Sequence, residues 1–149
     1  MKKFRFSLDT VLAYKKQALD AAKAEHGAAL AQVREQERVV DGEEQRYRDY
    51  NLEYRRRKEE GLTIGEAAVY QTGLRAQEMR IQREQDRLEE LKKIEEEKRA
   101  QMIEAKKETS SLEKLKEKKL DEYQKAVQKS EEAMIDELVS RARTSAAGA

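Results

Sequence analysis

The chain of 149 residues lacks cysteine, proline and tryptophan, and it has a single histidine, His26. Without cysteine there are no disulfides, thiolate metal sites or catalytic thiol, and one histidine cannot supply a multi-histidine metal site or a conventional Ser-His-Asp triad. No apolar run approaches the length that spans a bilayer, and none follows the basic amino terminus as a signal peptide would require. The sequence therefore predicts a cytoplasmic, non-enzymatic chain with no metal, no other cofactor and no transmembrane segment.

Charge is abundant but balanced. Charged residues make up 42% of the chain, and 32 Lys and Arg against 31 Asp and Glu leave a net charge of +1. Such a charge density is typical either of a disordered chain or of a coiled coil. The balance argues against a nucleic-acid-binding protein, which would carry a basic excess. Regular spacing of the apolar residues favours the coiled coil over disorder.

A heptad column runs through the first third of the chain. Its members are Leu12, Leu19, His26, Val33, Val40, Tyr47 and Tyr54. A repeat of this kind predicts a helix that buries one stripe against a partner helix, here over about residues 8–60. We interpret His26, within this column, as a polar residue that fixes the register rather than as a pH switch.

The heptad pattern stops at residues 61–65, which read Gly-Leu-Thr-Ile-Gly. Two glycines so close together predict the end of a helix, and Thr63 followed by Glu66 has the spacing of a capping box that starts the next one. The second helix is predicted over about residues 66–141. A short connection between two long amphipathic helices makes them antiparallel neighbours.

The predicted fold is therefore all-α. We expect residues 1–149 to form a single domain, an antiparallel two-helix coiled-coil hairpin whose second helix is longer than the first and whose termini are frayed. Because the second helix outlasts the first, the apolar stripe beyond about Lys119 has no partner within the chain. Burying such side chains is worth roughly 1.5–3 kcal/mol each, so we expect another molecule to cover them.

Basic residues gather at both chain ends, which a hairpin brings to the same tip. Together with the unpaired stripe they predict a docking tip, although solvated charge is the alternative interpretation. The residues assigned to this docking tip are Lys2, Lys3, Phe4, Arg5, Leu8, Leu120, Tyr123, Val127, Met134, Leu138 and Arg141.

A second candidate surface lies near the turn. Four of the 6 tyrosines fall there: Tyr47, Tyr50, Tyr54 and Tyr70. Tyrosine makes a good contact anchor because it buries a large area with few rotatable bonds. Packing between the helices is the alternative, since two of the four belong to the heptad column.

The sequence also resembles a known family. Residues 4–12, FRFSLDTVL, resemble the start of many FliJ proteins, the small coiled-coil component of the bacterial flagellar type III export apparatus. The DYNLEY segment at 49–54 and the glycine-containing turn before Tyr70 are similar to that family. So is LEKLKEKK at 112–119, with Tyr123 after it.

The resemblance implies an antiparallel hairpin similar in shape to the central stalk of rotary ATP synthases. In the family, the joined termini enter the ring of the export ATPase FliI and promote its assembly into a hexamer, which would be the role of the docking tip. A tyrosine-bearing face contacts the export-gate protein FlhA, and this contact would fall on Tyr50, Tyr54 and Gln77. Gly73 stands where some members have a large aromatic residue, and Gln77 where some have leucine.

The resemblance further implies a cytoplasmic protein, monomeric when free, that associates peripherally with the inner membrane at the flagellar basal body. It extends the partners to FliH and export chaperones, and the processes to flagellar protein export, flagellum biogenesis, motility and chemotaxis. Two alternatives stay open: the related stalk component of an injectisome, and a structural coiled coil that dimerises through its bare stripe.

Overall fold

The computed structural model describes residues 2–148 and contains two helices. Helix α1 spans Asp9–Glu60 and helix α2 spans Ile64–Ala147, 52 and 84 residues respectively. No strand occurs in this described part of the chain. The predicted all-α hairpin with a longer second helix is confirmed. The structure moves the start of α2 from residue 66 to Ile64, and α2 continues six residues past the predicted end at 141.

The connection between the helices is shorter than predicted, residues 61–63 rather than 61–65. Gly61 adopts a φ of 102°, the left-handed conformation that commonly ends a helix. Thr63 Oγ1 accepts a hydrogen bond from the backbone N–H of Glu66 at 3.1 Å, which is one half of the predicted capping box. The Glu66 carboxylate does not bond back to the cap. It pairs with Arg57 of α1 at 3.2 Å and so ties the two helices together beside the turn.

Two glycines should respond oppositely to alanine. At Gly61 a Cβ is strained by the positive φ, so we expect Gly61→Ala to lower the free energy of unfolding by about 1 kcal/mol. Gly42 lies inside α1 with open space around it, so Gly42→Ala should raise that free energy by up to about 1 kcal/mol. Urea titration followed by helical circular dichroism measures both. If both variants changed the free energy of unfolding in the same direction, the left-handed conformation of Gly61 would be contradicted.

The paired helices divide into two compact units. The first comprises Met1–Asp20 and Glu104–Ala149, and the second Ala21–Ile103. In the first unit Lys15 pairs with Glu108 at 2.8 Å, while Asp9, earlier in α1, pairs with the later Lys116 at 2.9 Å. As α1 advances its partner on α2 recedes, which defines an antiparallel pair. The expectation that the whole chain is one domain stays a prediction.

The second unit is antiparallel in the same way, with His26 beside Glu95 and Tyr47 beside Glu78. The heptad column supplies three of the four buried apolar side chains of this unit, and no member of the column in either unit is exposed. The buried members are Leu12, Val33, Val40 and Tyr54. The interior is a single stripe along each helix, as the heptad repeat predicts.

Candidate interaction surfaces

The amino-terminal residues pack onto α2 within the first unit. The Phe4 ring lies 5.6 Å from the Tyr123 ring, and the Tyr123 hydroxyl donates a hydrogen bond to the Lys2 carbonyl at 2.5 Å. Phe6 is buried and Leu8 is half-buried. Tyr123 was expected to lack a partner within the chain, and this expectation is wrong. Residues 2–6 are not helical, yet they continue the antiparallel register of the helices, since Lys2 meets Tyr123 seven residues beyond the Asp9–Lys116 pair on each side.

The far end of α2 is uncovered. Every residue from 128 to 148 is exposed, whereas Val127 is half-buried and Leu120 is only just exposed. Four large apolar side chains lie on one side of this end and form what we call the carboxy-terminal apolar face: Met134, Ile135, Leu138 and Val139. Met134 is 63% exposed and Leu138 59%. Of these four, the heptad pattern identified Met134 and Leu138. It did not identify Ile135 and Val139, although the sequence shows two adjacent apolar pairs, 134–135 and 138–139, four residues apart.

The predicted docking tip is divided by the structure. Lys2, Lys3 and Arg5 are exposed and form no ion pair within residues 2–148. They lie near Tyr123, while Arg141 follows 18 residues later along α2, roughly 27 Å away by the helical rise. Arg141 is paired with Glu137 at 2.8 Å.

The two termini therefore do not meet in one basic cluster. The uncovered end of α2, residues 128–147, carries three basic and four acidic residues. The positive charge sits at the amino-terminal segment, and the apolar surface sits farther along α2. The structure brings together Lys2, Phe4 and Tyr123, and it leaves the exposed apolar side chains apart from them.

Three of the four tyrosines near the turn form a stack inside the second unit, and Tyr47 instead donates a hydrogen bond to Glu78. The Tyr54 and Tyr70 rings are stacked at 5.2 Å, and Tyr50 lies 5.3 Å from Tyr70. Tyr54 is only 5% exposed, with the Lys58 ammonium 4.0 Å from its ring centroid. Burial and the neighbouring Glu53 carboxylate raise the pKa of Tyr70. Tyr54 thus packs between the helices, while Tyr50 and Tyr70 are half-exposed.

Gln77 and Tyr50 line one cleft. The Gln77 amide donates hydrogen bonds to the Glu43 carbonyl at 2.9 Å and to the Glu43 carboxylate at 2.5 Å. The Tyr50 ring lies against the backbone of α2 at Gly73. A cavity of about 340 Å³ opens there, which we call the Gly73 cleft. Its lining residues are Arg46, Tyr50, Gly73, Ala76, Gln77 and Arg80. Of the three residues assigned to the gate contact, two lie at this cleft and Tyr54 is buried one turn away.

Polar groups fix the pairing of the helices inside the second unit. Gln36 donates to the Glu84 carbonyl at 2.9 Å and to its carboxylate at 2.6 Å. Gln77 makes the same pair of bonds to Glu43 in the opposite direction. On each helix the Gln and the Glu are seven residues apart, so the two Gln–Glu pairs are related by the local two-fold symmetry of an antiparallel helix pair. Each Gln–Glu pair fits only one register of the helices, since a shift of one helix along the other would leave the Gln amides without partners.

His26 belongs to a further polar layer. Its Nε2 lies 2.8 Å from the Glu95 carboxylate, which also accepts hydrogen bonds from the Arg99 guanidinium at 2.6 and 2.8 Å. These bonds, that of His26 above all, hold the pKa of the buried Glu95 below its ordinary value. The pairing across the helices supports the register role assigned to His26.

Within residues 2–148, no group of three or more His, Asp or Glu side chains is placed to hold a metal ion. Neither helix has an apolar stretch long enough to cross a membrane.

Fold and surfaces together define the class: an antiparallel two-helix coiled coil with one uncovered helix end. The family model described as "Flagellar FliJ protein" matches residues 4–147, essentially the whole chain. The chain belongs to the FliJ family, whose members are structural components of the flagellar type III export apparatus and are not known as enzymes. Neither the curated proteins nor the solved structures include a significant match.

Proposed function

We propose that this chain is a non-enzymatic, stalk-like coupler in flagellar protein export. Its first unit docks into the ring of the export ATPase FliI and promotes hexamer assembly, and its tyrosine-bearing face contacts the export-gate protein FlhA. The chain acts in the cytoplasm, at the inner-membrane side of the basal body, without binding nucleic acid. FliH and export chaperones are further proposed partners with no residues assigned.

The observation that carries the ATPase contact is the carboxy-terminal apolar face. Exposing Met134, Ile135 and Leu138 to water does not stabilise the free chain. Contiguous exposed apolar side chains of this size mark interaction sites. The amino-terminal segment adds unpaired positive charge near Tyr123. A ring that receives this unit would therefore meet apolar side chains first and basic ones behind them.

The tyrosine stack supports the gate contact. Tyr50 presents part of its ring to solvent and lines the Gly73 cleft beside Gln77. Tyr54 is too buried to offer a partner much surface. We assign it to positioning: it stacks on Tyr70, and Tyr70 in turn packs on Tyr50.

The test is an assay of purified FliI with and without this chain, reading both hexamer formation and ATP turnover. The double variant Met134→Asp/Leu138→Asp places charge on two exposed apolar side chains. We expect it to raise the concentration of this chain needed for half-maximal ATPase stimulation by at least about a hundredfold. The control is Leu52→Asp, an equally exposed leucine, 62% accessible, in the second unit. Helical circular dichroism should be unchanged for both, because neither set is buried.

The outcomes separate this proposal from its alternatives. Unchanged stimulation by the double variant would contradict docking through this face. If the chain sediments as a dimer that the double variant dissociates, the structural homodimer gains support instead. An injectisome stalk is distinguished by neighbouring genes, and membership of the flagellar family favours the flagellar alternative.

A further inference from the structure

The residues before α1 follow a period of two rather than of seven. We call residues 2–8 the amino-terminal strap. Its even-numbered residues from 4 to 8 are buried or half-buried: Phe4, Phe6 and Leu8. The odd-numbered residues from 3 to 7 are exposed: Lys3, Arg5 and Ser7. Side chains that alternate in this way are typical of an extended chain with one packed face. The strap thus turns its apolar side chains inward and its polar ones to solvent.

The sequence explains why α1 does not continue into the strap. Seven residues before Leu12, the first member of the heptad column, stands Arg5. A helix through the strap would turn the Arg5 guanidinium toward the interior of the pair. It would also set Lys2 and Lys3 at a helix amino terminus, where the dipole disfavours positive charge. The extended strap avoids both costs, because it leaves Arg5 in solvent and buries Phe6 instead.

Few bonds hold the strap in place. Within residues 2–148, one hydrogen bond joins it to α2, from the Tyr123 hydroxyl to the Lys2 carbonyl. The backbone groups of residues 3–5 bond to no other group in that part of the chain. Segments with few buried contacts and hydrated backbone groups open locally, at a much lower free energy than global unfolding. The strap can therefore leave α2 while the helix pair stays folded.

The strap covers one end of a stripe that the carboxy-terminal apolar face continues. Tyr123 packs against Phe4 of the strap. Val127, Met134 and Leu138 follow Tyr123 along the same side of α2, at steps of four, seven and four residues. A partner that lies on the bare end of α2 and extends toward α1 therefore meets the strap next. Such a partner and the strap compete for the same side chains of α2.

We propose that the strap covers Tyr123 in the free chain and is displaced when a partner docks on the carboxy-terminal apolar face. The partner is the apolar surface of the ATPase ring, so the inference rests on the proposed function. Displacement extends the apolar contact from the four side chains of that face to Tyr123 and Leu120. Because this extended contact forms only while the strap is open, the apparent affinity of the partner falls as the closed fraction of the strap rises.

A covalent lock tests the displacement. The chain has no cysteine, so Lys2→Cys/Ala126→Cys introduces two unique thiols, at exposed positions on the strap and on α2 about one turn beyond Tyr123. A flexible bismaleimide joins them before purified FliI is added, and the matched control is the same variant capped with N-ethylmaleimide. We expect the linked chain to require at least about tenfold more protein for half-maximal ATPase stimulation. Equal requirements for the linked and the capped chain would overturn the proposal.

Loosening the strap should have the opposite effect. Phe6→Ala removes its most buried side chain and keeps every charge, so about three- to tenfold less chain should suffice for half-maximal stimulation. Ser7→Ala is the control at the exposed neighbour, with a change of less than about twofold. Helical circular dichroism checks that the helix pair is intact in both. A requirement for Phe6→Ala that equals or exceeds that of wild type would show that the strap only caps the hairpin.

Trypsin distinguishes a failure of this inference from a failure of the proposed function. Without FliI, an opening strap exposes the peptide bond after Arg5, whereas Arg34 lies inside α1. We expect cleavage after Arg5 to be at least about tenfold faster than after Arg34, and Phe6→Ala to accelerate only the first. Equal rates would refute local opening of the strap, whatever FliI does. If no form of the chain stimulates FliI, docking on the ring is refuted, and cleavage after Arg5 still decides whether the strap opens.

Discussion

Leu12→Ala should lower the free energy of unfolding by about 2–5 kcal/mol, the range for leucines whose removal leaves a cavity in a packed interior. Leu12 is the most buried apolar side chain described, at 2% exposure, and it belongs to the first unit. The two-helix interior is only one stripe wide, so few other side chains are available to fill the space. Urea unfolding followed by circular dichroism measures the loss.

Leu52→Ala is the matched control. It makes the same chemical change in the same helix at a side chain that is 62% exposed, so the expected shift stays within about 0.5 kcal/mol. The contrast also bears on function, because Leu12 helps hold the unit that carries the proposed ATPase contact. If Leu12→Ala costs no more than Leu52→Ala, the heptad column does not form the interior that the structure describes.

The heptad column was the part of the fold that the sequence predicted best. A repeat of seven is a local property, and a helix that keeps it must bury the same stripe from Leu12 to Tyr54, as the structure shows. The turn was equally readable, because Gly61 and Thr63 act through their own backbone and side chain. Such local rules need no knowledge of what lies across the interface.

The surfaces were harder to predict because they depend on the packing of non-helical residues and on pairs of residues from different helices. The packing of the non-helical residues before α1 onto α2 covers Tyr123, and Met134 lies beyond the residues that they reach. The Gly73 cleft depends on where the Tyr50 ring lies, and the heptad pattern does not predict that position. The resemblance pointed to Tyr50 and Gln77 without indicating the cleft they share or the arginines beside it.

The sharpest pH effect should come from Glu95. Its carboxylate is buried between His26 and Arg99, and those two partners hold its pKa below the ordinary value of 4.5. The folded chain therefore releases this proton more readily than the unfolded chain does. The resulting stability is fully present above about pH 4.5 and is lost as the pH falls through the lower folded pKa.

Glu95→Gln removes that contribution and leaves His26 and Arg99 without their anion. We expect the variant to be less stable than wild type near neutral pH and the difference to shrink below about pH 4.5. Urea titrations across this range measure the convergence. Glu35→Gln is the control, since that carboxylate is largely exposed and pairs only with Arg38 of its own helix.

A second variant identifies which of the two partners lowers the pKa of Glu95 more. Because the hydrogen bond from His26 is the largest cause of the lowered pKa, His26→Gln should shift the acid loss of stability upward, toward pH 4.5. The adjacent Glu25–Lys98 pair also faces this layer, so Lys98→Gln should be measured in parallel to separate its effect. If wild type and Glu95→Gln diverge in acid rather than converge, the carboxylate is not ionised in the folded chain and the register role of the His26 layer has to be given up.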